Sequence, residues 1–200
     1  MDRRKFLVGL GVLPFVSTWF FANDQAKAHK QYILVGLADS GDMITREIQK
    51  MGFKGKVYNI HVSKYDNLHI RLTERLLHGE KIADQPNRLL SKFSKSEHEI
   101  PIFISGLGGV RSTYLSALAY HEFTKLNMPF YMFLTTPFEF EGSLRNTRAR
   151  KFQFANKGDM RINYINLNDC PRVNFPTISV GFNKFPAVNI YQKLCGMNYY

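Results

Sequence analysis

The sequence predicts a three-layer α/β fold with a mostly parallel, Rossmann-like sheet, and three observations carry that expectation. Strand-like apolar runs alternate with segments of helical periodicity from residue 32 to residue 167. A glycine-rich turn, Gly106-Leu107-Gly108-Gly109, joins one apolar run to the helical segment after it. The composition, 44% hydrophobic and 22% charged over 200 residues, suits one globular domain long enough to bury a core.

The first segment reads as an address. Met1-Asp2-Arg3-Arg4-Lys5 is basic, Phe6 to Phe21 is uncharged, and Ala26-Lys27-Ala28 puts small residues at a cleavage position. That is the layout of a signal peptide. Arg3 and Arg4 followed by Lys5-Phe6-Leu7 resemble the twin-arginine (Tat) pattern, with Asp2 and Val8 where Ser/Thr and Lys are usual. The stretch falls short of the roughly 20 apolar residues that a spanning helix needs. Gly9, Gly11 and Pro14 disfavour a core helix there. Residues 1–28 are therefore expected to direct export to the periplasm, touching the membrane transiently, with an uncleaved membrane tether as the alternative. Their removal takes away four basic and two acidic residues, bringing the net charge from +11 to +9.

Residues 29–200 then form the domain. Tyr32 to Leu37 reads as a buried strand, and Ile44, Ile48 and Met51 recur at helical spacing up to a stop at Gly52. Val57 to Val62 is a second strand. His69 to Leu77 reads as a helix closing near Gly79, and residues 80–99 as a polar loop. Pro101 to Ser105 is a strand leading into the glycine turn. A helix follows from near Ser112, with Leu115, Leu118, Ala119, Phe123 and Leu126 on one side. Phe130 to Thr135 is a strand broken by Pro137, Ser143 to Phe154 a basic helix, and Ile162 to Leu167 a further strand. Pro171, Pro176 and Pro186 suggest irregular structure after that, with a strand near Thr177–Val180 and a short terminal helix. Ligands of such sheets sit beyond the strand carboxyl ends, here Gly36, Gly106 and Thr135.

One segment is specific. Thr135-Thr136-Pro137-Phe138-Glu139-Phe140-Glu141-Gly142, followed by Arg145, closely resembles the T-x-P-F-x-F-E-G-x-x-R stretch of the tubulin/FtsZ family. Ser105-Gly106-Leu107-Gly108-Gly109 is similar to the start of that family's A-G-x-G-G-G-T-G-T-G signature. Val35 to Gly41 resembles its first glycine loop, and Ile165 to Asp169 its strand-ending P-N-D. The four segments stand in the family's order and cover residues 32–170. The resemblance implies the tubulin/FtsZ type of nucleotide-binding domain, with GTP or GDP as ligand. It places Gly36 and Gly41 on the first phosphate loop, Gly106, Gly108, Gly109, Arg111 and Thr113 on the second, Glu141 at the ribose and Arg145 at the phosphates. Glu141 and Arg145 also stand four residues apart, the spacing of an ion pair on a helix surface.

The departures fall where chemistry would occur. Val110, Ser112 and Tyr114 replace glycines of the second loop, and Ala38, Asp39 and Asp42 those of the first. Two carboxylates beside a triphosphate are unfavourable, and Arg111 is expected to pair with them in the vacated phosphate site. Nothing after Asp169 resembles the family's acidic hydrolysis loop, and the second domain is expected to be lacking. The reading is a degenerate, exported FtsZ-like protein, a pseudo-GTPase that binds a protein partner or small anion. A genuine GTP/GDP-binding protein with slow or partner-dependent hydrolysis is the alternative. No catalytic residue and no metal-ligand set is assigned, and no nucleic-acid signature accompanies the basic charge. Cys170 and Cys195 could pair after export or remain two packed thiols.

Overall fold

The computed structural model describes residues 31–61, 73, 75–78, 99–171 and 178–196, with the side chains of 178–181 excepted. The expected export segment, the loop over 80–98 and the Gly79 helix stop lie outside the described residues. Eleven positions of the sheet's interior illustrate the sequence rule. Strand β1 (Gln31–Leu37) is buried from Ile33 onward, and β3 (Glu99–Gly106) over Ile100–Ser105. Near-continuous apolar runs of this kind belong to strands covered on both faces.

Among the described residues five strands form one sheet in the order β2-β1-β3-β4-β5, with β2 at Val57–Ile60, β4 at Tyr131–Thr136 and β5 at Ile162–Asn166. Every pairing is parallel, so the expectation of a mostly parallel sheet is met in full. Side chains alternate between the two faces. On one face Ile33, Val35, Phe103, Met132 and Leu134 pack with helix α2 (Val110–Lys125) and helix α3 (Ser143–Ala155). On the other, Leu34, Ile102, Ile104 and Phe133 pack with helix α1 (Ala38–Lys50) and helix α4 (Ile178–Gly196). Thr73 and residues 75–77 are helical, in keeping with the helix expected there, and Leu76 joins the first core.

One expectation is overturned. Residues 178–180 are not a strand but the start of α4, a 19-residue helix that contains Pro186. A proline within a helix removes one backbone hydrogen bond. Ala187, Ile190 and Leu194, spaced by three and four residues, bury the helix against the sheet and α1. That apolar burial outweighs the proline. No disulfide joins Cys170 and Cys195.

Candidate functional site

A cavity of about 600 Å³ opens at the carboxyl ends of β1, β3 and β4. Its walls come from the start of α1, the glycine turn, the start of α2, the segment after β4, and α4. Of the nine residues singled out from sequence, Gly106, Gly109, Arg111, Glu141 and Arg145 line it, while Gly36, Gly41, Gly108 and Thr113 do not.

The first loop is a packing device. A Cβ on Gly36 would lie 2.3 Å from Asn59 Oδ1 and 2.8 Å from the Gly41 carbonyl carbon, and one on Gly41 would lie 2.3 Å from the Ile104 oxygen. These glycines let α1 descend onto β1 and β3. Ala38 adopts φ +57°, the left-handed conformation that glycine takes readily and alanine does not. Asp42 is held by Arg46, with Nε to Oδ1 at 2.8 Å and Nη2 to Oδ2 at 2.9 Å, and accepts from Asn59 Nδ2 at 2.7 Å. Asp39, on the cavity rim, lies 3.3 Å from His61 Nδ1. The ion pairs that these two carboxylates make among the described residues are therefore with Arg46 and His61, not with Arg111 as expected. Arg46, one turn further along the same helix, supplies the countercharge of Asp42.

In the second turn, side-chain oxygens already occupy backbone donors. The Gly106 amide donates to Ser40 Oγ at 2.9 Å, and the Gly108 amide to Thr113 Oγ1 at 3.0 Å. The Leu107 amide donates to the Thr135 carbonyl at 2.8 Å. Gly108 has φ +94° and lies so close to α3 that a Cβ would approach the Arg145 oxygen to 3.0 Å. Arg148 Nη1 donates to the Gly108 carbonyl at 2.8 Å. Val110, Arg111 and Ser112 line the cavity. Tyr114, expected to obstruct phosphate as well, instead turns into the core, and burial pushes its phenol pKa up.

The third wall is stiff. Glu141 Oε1 accepts from the Phe138 amide at 2.9 Å, while Oε2 accepts from Arg145 Nη1. The i,i+4 pair is present, and both of its residues line the cavity. Asn168 ties the strand-ending segment to this wall by accepting from the Glu139 amide at 3.1 Å. Phe138 stacks on Phe140 and meets Phe182 of α4 edge-on at 4.9 Å. Sequence reasoning missed Ser40, Met43, Arg148, Leu167, Phe182 and Asn183, all of which line the cavity. Arg148 was discoverable, one turn beyond Arg145 on the same helix. Phe182 and Asn183 were not, because they sit on a helix read as strand and coil. The lining carries Arg111, Arg145 and Arg148 against Asp39 and Glu141, a net positive wall with an apolar floor.

A parallel α/β domain with a cavity between two strand-end turns has that cavity where open parallel sheets hold their ligands. More particularly, the fold is that of the tubulin/FtsZ nucleotide-binding domain. CetZ from Methanosaeta thermophila superposes with a TM-score of 0.59 at 13% identity, over 84% of this chain and 54% of that one. TubZ of Clostridium botulinum phage c-st, truncated at its C-terminal tail, superposes with a TM-score of 0.51 at 10% identity, over 80% of this chain and 59% of that one. The chain thus spans a little over half the length of these relatives in fold. No protein-family model and no curated protein matches it by sequence.

Proposed function

We propose that the chain is an exported pseudo-GTPase: a tubulin/FtsZ-like domain that binds a small anion or a protein partner and does not hydrolyse nucleotide. The observation that supports this best is the internal occupation of the phosphate turn by Ser40 and Thr113. A triphosphate seated there would have to displace both hydroxyls, each bond worth about 0.5–1.5 kcal/mol net. It would also have to pass Val110 and Ser112, where the family's glycines give open backbone. In this reading residues 1–28 send the folded domain to the periplasm by the twin-arginine route, and Arg3→Lys with Arg4→Lys retains it in the cytoplasm.

The test is nucleotide occupancy. Protein purified without added nucleotide is denatured and assayed for GTP and GDP, and fresh protein is titrated with GTP by calorimetry. No nucleotide and no heat are expected. Stoichiometric guanine nucleotide, or micromolar binding abolished by Arg145→Ala, would replace this reading with the second one. That second reading, a GTP/GDP-binding protein with slow or partner-dependent hydrolysis, draws on the size of the cavity and on Arg145 and Glu141 in its wall.

A further inference from the structure

The outer face of α3 combines cations with protruding apolar side chains in a way the cavity does not use. Of its thirteen residues only Ala149 and Phe152 are buried. Leu144, Thr147, Lys151 and Phe154, spaced by three, four and three, share one stripe on the far side. Leu144 is 73% exposed and Phe154 83%, while Phe140 just before the helix is 65% exposed and Met160 just after it 94%. The helix carries Arg145, Arg148, Arg150 and Lys151 and no acidic residue. Arg145 and Arg148 contribute to the cavity wall, whereas Arg150 and Lys151 are exposed, as is Lys157 in the next turn.

Exposed apolar groups sharing one helix face, here Leu144 and Phe154, mark an interaction surface. The cations decide its sign, since an anionic partner complements a helix with no carboxylate. The apolar groups decide its kind. Against nucleic acid, Leu144 and Met160 would meet a hydrated phosphate backbone that offers them no burial. At a bilayer, leucine, methionine and phenylalanine enter the acyl boundary while arginine and lysine meet lipid phosphates. We propose that the outer face of α3, through the exposed Leu144 and Phe154, docks the domain on an anionic phospholipid bilayer. This docking is independent of what the cavity holds.

The experiment uses the full chain carrying Trp19→Phe and Phe154→Trp, which leaves one tryptophan, on α3, to be excited selectively over the tyrosines, because Trp19 is the protein's one tryptophan. Emission is recorded with vesicles of phosphatidylcholine alone and of phosphatidylcholine mixed with phosphatidylglycerol. A blue shift is expected with the mixed vesicles only, reversed by high salt. Arg150→Glu with Lys151→Glu should lower partitioning by at least about tenfold. Co-sedimentation of the chain with and without this charge reversal, in the native Phe154 background, repeats the measurement without the reporter. Sedimentation with unshifted emission would place the contact elsewhere, such as residues 1–28, and overturn the proposal. An equal shift on phosphatidylcholine, or displacement from mixed vesicles by duplex DNA at lower concentration than by lipid, would overturn it as well.

Discussion

Asp159 ties the fold to pH more directly than any residue of the cavity. Arg161 donates to its carboxylate from Nε and Nη2, and the Tyr120 hydroxyl donates at 3.0 Å. These donors, Arg161 foremost, hold the Asp159 pKa down at about 2. An unfolded aspartate titrates near ~3.9. The folded value is the lower one, so the contribution is fully present above that range and is lost as pH falls through about 4 toward about 2. With allowance for solvent screening it amounts to about 1–2 kcal/mol. Urea unfolding followed from neutral to acid pH should show this loss, and Asp159→Asn should flatten that limb. Tyr164 presents the opposite case: among the described residues its hydroxyl is buried without a hydrogen-bond partner, and burial pushes its pKa up to about 12. Tyr164→Phe should leave stability unchanged or raise it by about 1 kcal/mol, measured by the same unfolding curves. At the phosphate turn, Thr113→Val removes the acceptor of the Gly108 amide and should cost about 1–3 kcal/mol, largely restored by Thr113→Ser.

Elements were legible in proportion to how locally their cause is written. The strands announce themselves by apolar runs, and all five appear within a residue or two of their expected limits, β2 closing at Ile60. α3 was equally plain. α4 was not, because Pro171, Pro176 and Pro186 suggested coil, whereas Ala187, Ile190 and Leu194 hold a helix through contacts with the distant β1 and β3. The site shows the same division. Gly106 and Gly109 stood out in the sequence, but the bond from Gly106 to Ser40 spans 66 residues and leaves no local trace. Gly36 and Gly41 were visible as glycines, but their packing role, the approach of α1 to the sheet, was not. Gly41→Ala should therefore destabilise by about 3 kcal/mol, since its Cβ would lie 2.3 Å from the Ile104 oxygen, on a central strand that cannot retreat. Gly158→Ala is the control. It meets nothing within 4 Å and carries only its φ of +88°, for about 1–2 kcal/mol. Equal losses in the two variants, read from urea midpoints, would remove the packing role assigned to Gly41.

On the scale of residues 31–200, the cavity is where both helical layers meet the sheet. Ser40 and Met43 of α1 and Phe182 of α4 reach it from one side, and Arg111, Arg145 and Arg148 of α2 and α3 from the other. The layers share their strands: Phe103 faces one core and its neighbours Ile102 and Ile104 the other, so neither layer can open while the second stays packed. Unfolding should accordingly be one cooperative transition, and any ligand of the cavity should stabilise the whole unit. A ligand present at about 100 times its dissociation constant adds roughly 2.7 kcal/mol. At roughly 2–4 °C per kcal/mol for a domain of this size, that is a rise of about 5–10 °C in Tm. Thermal melts with millimolar GTP and magnesium, set beside melts with inorganic phosphate at equal ionic strength, therefore separate the two readings of the site. With Ser40 and Thr113 filling the turn, GTP should raise Tm no more than phosphate does. A rise of 5–10 °C that GTP produces and phosphate does not, lost in Arg145→Ala, would mean that the nucleotide displaces both hydroxyls and that the turn still works as a phosphate loop.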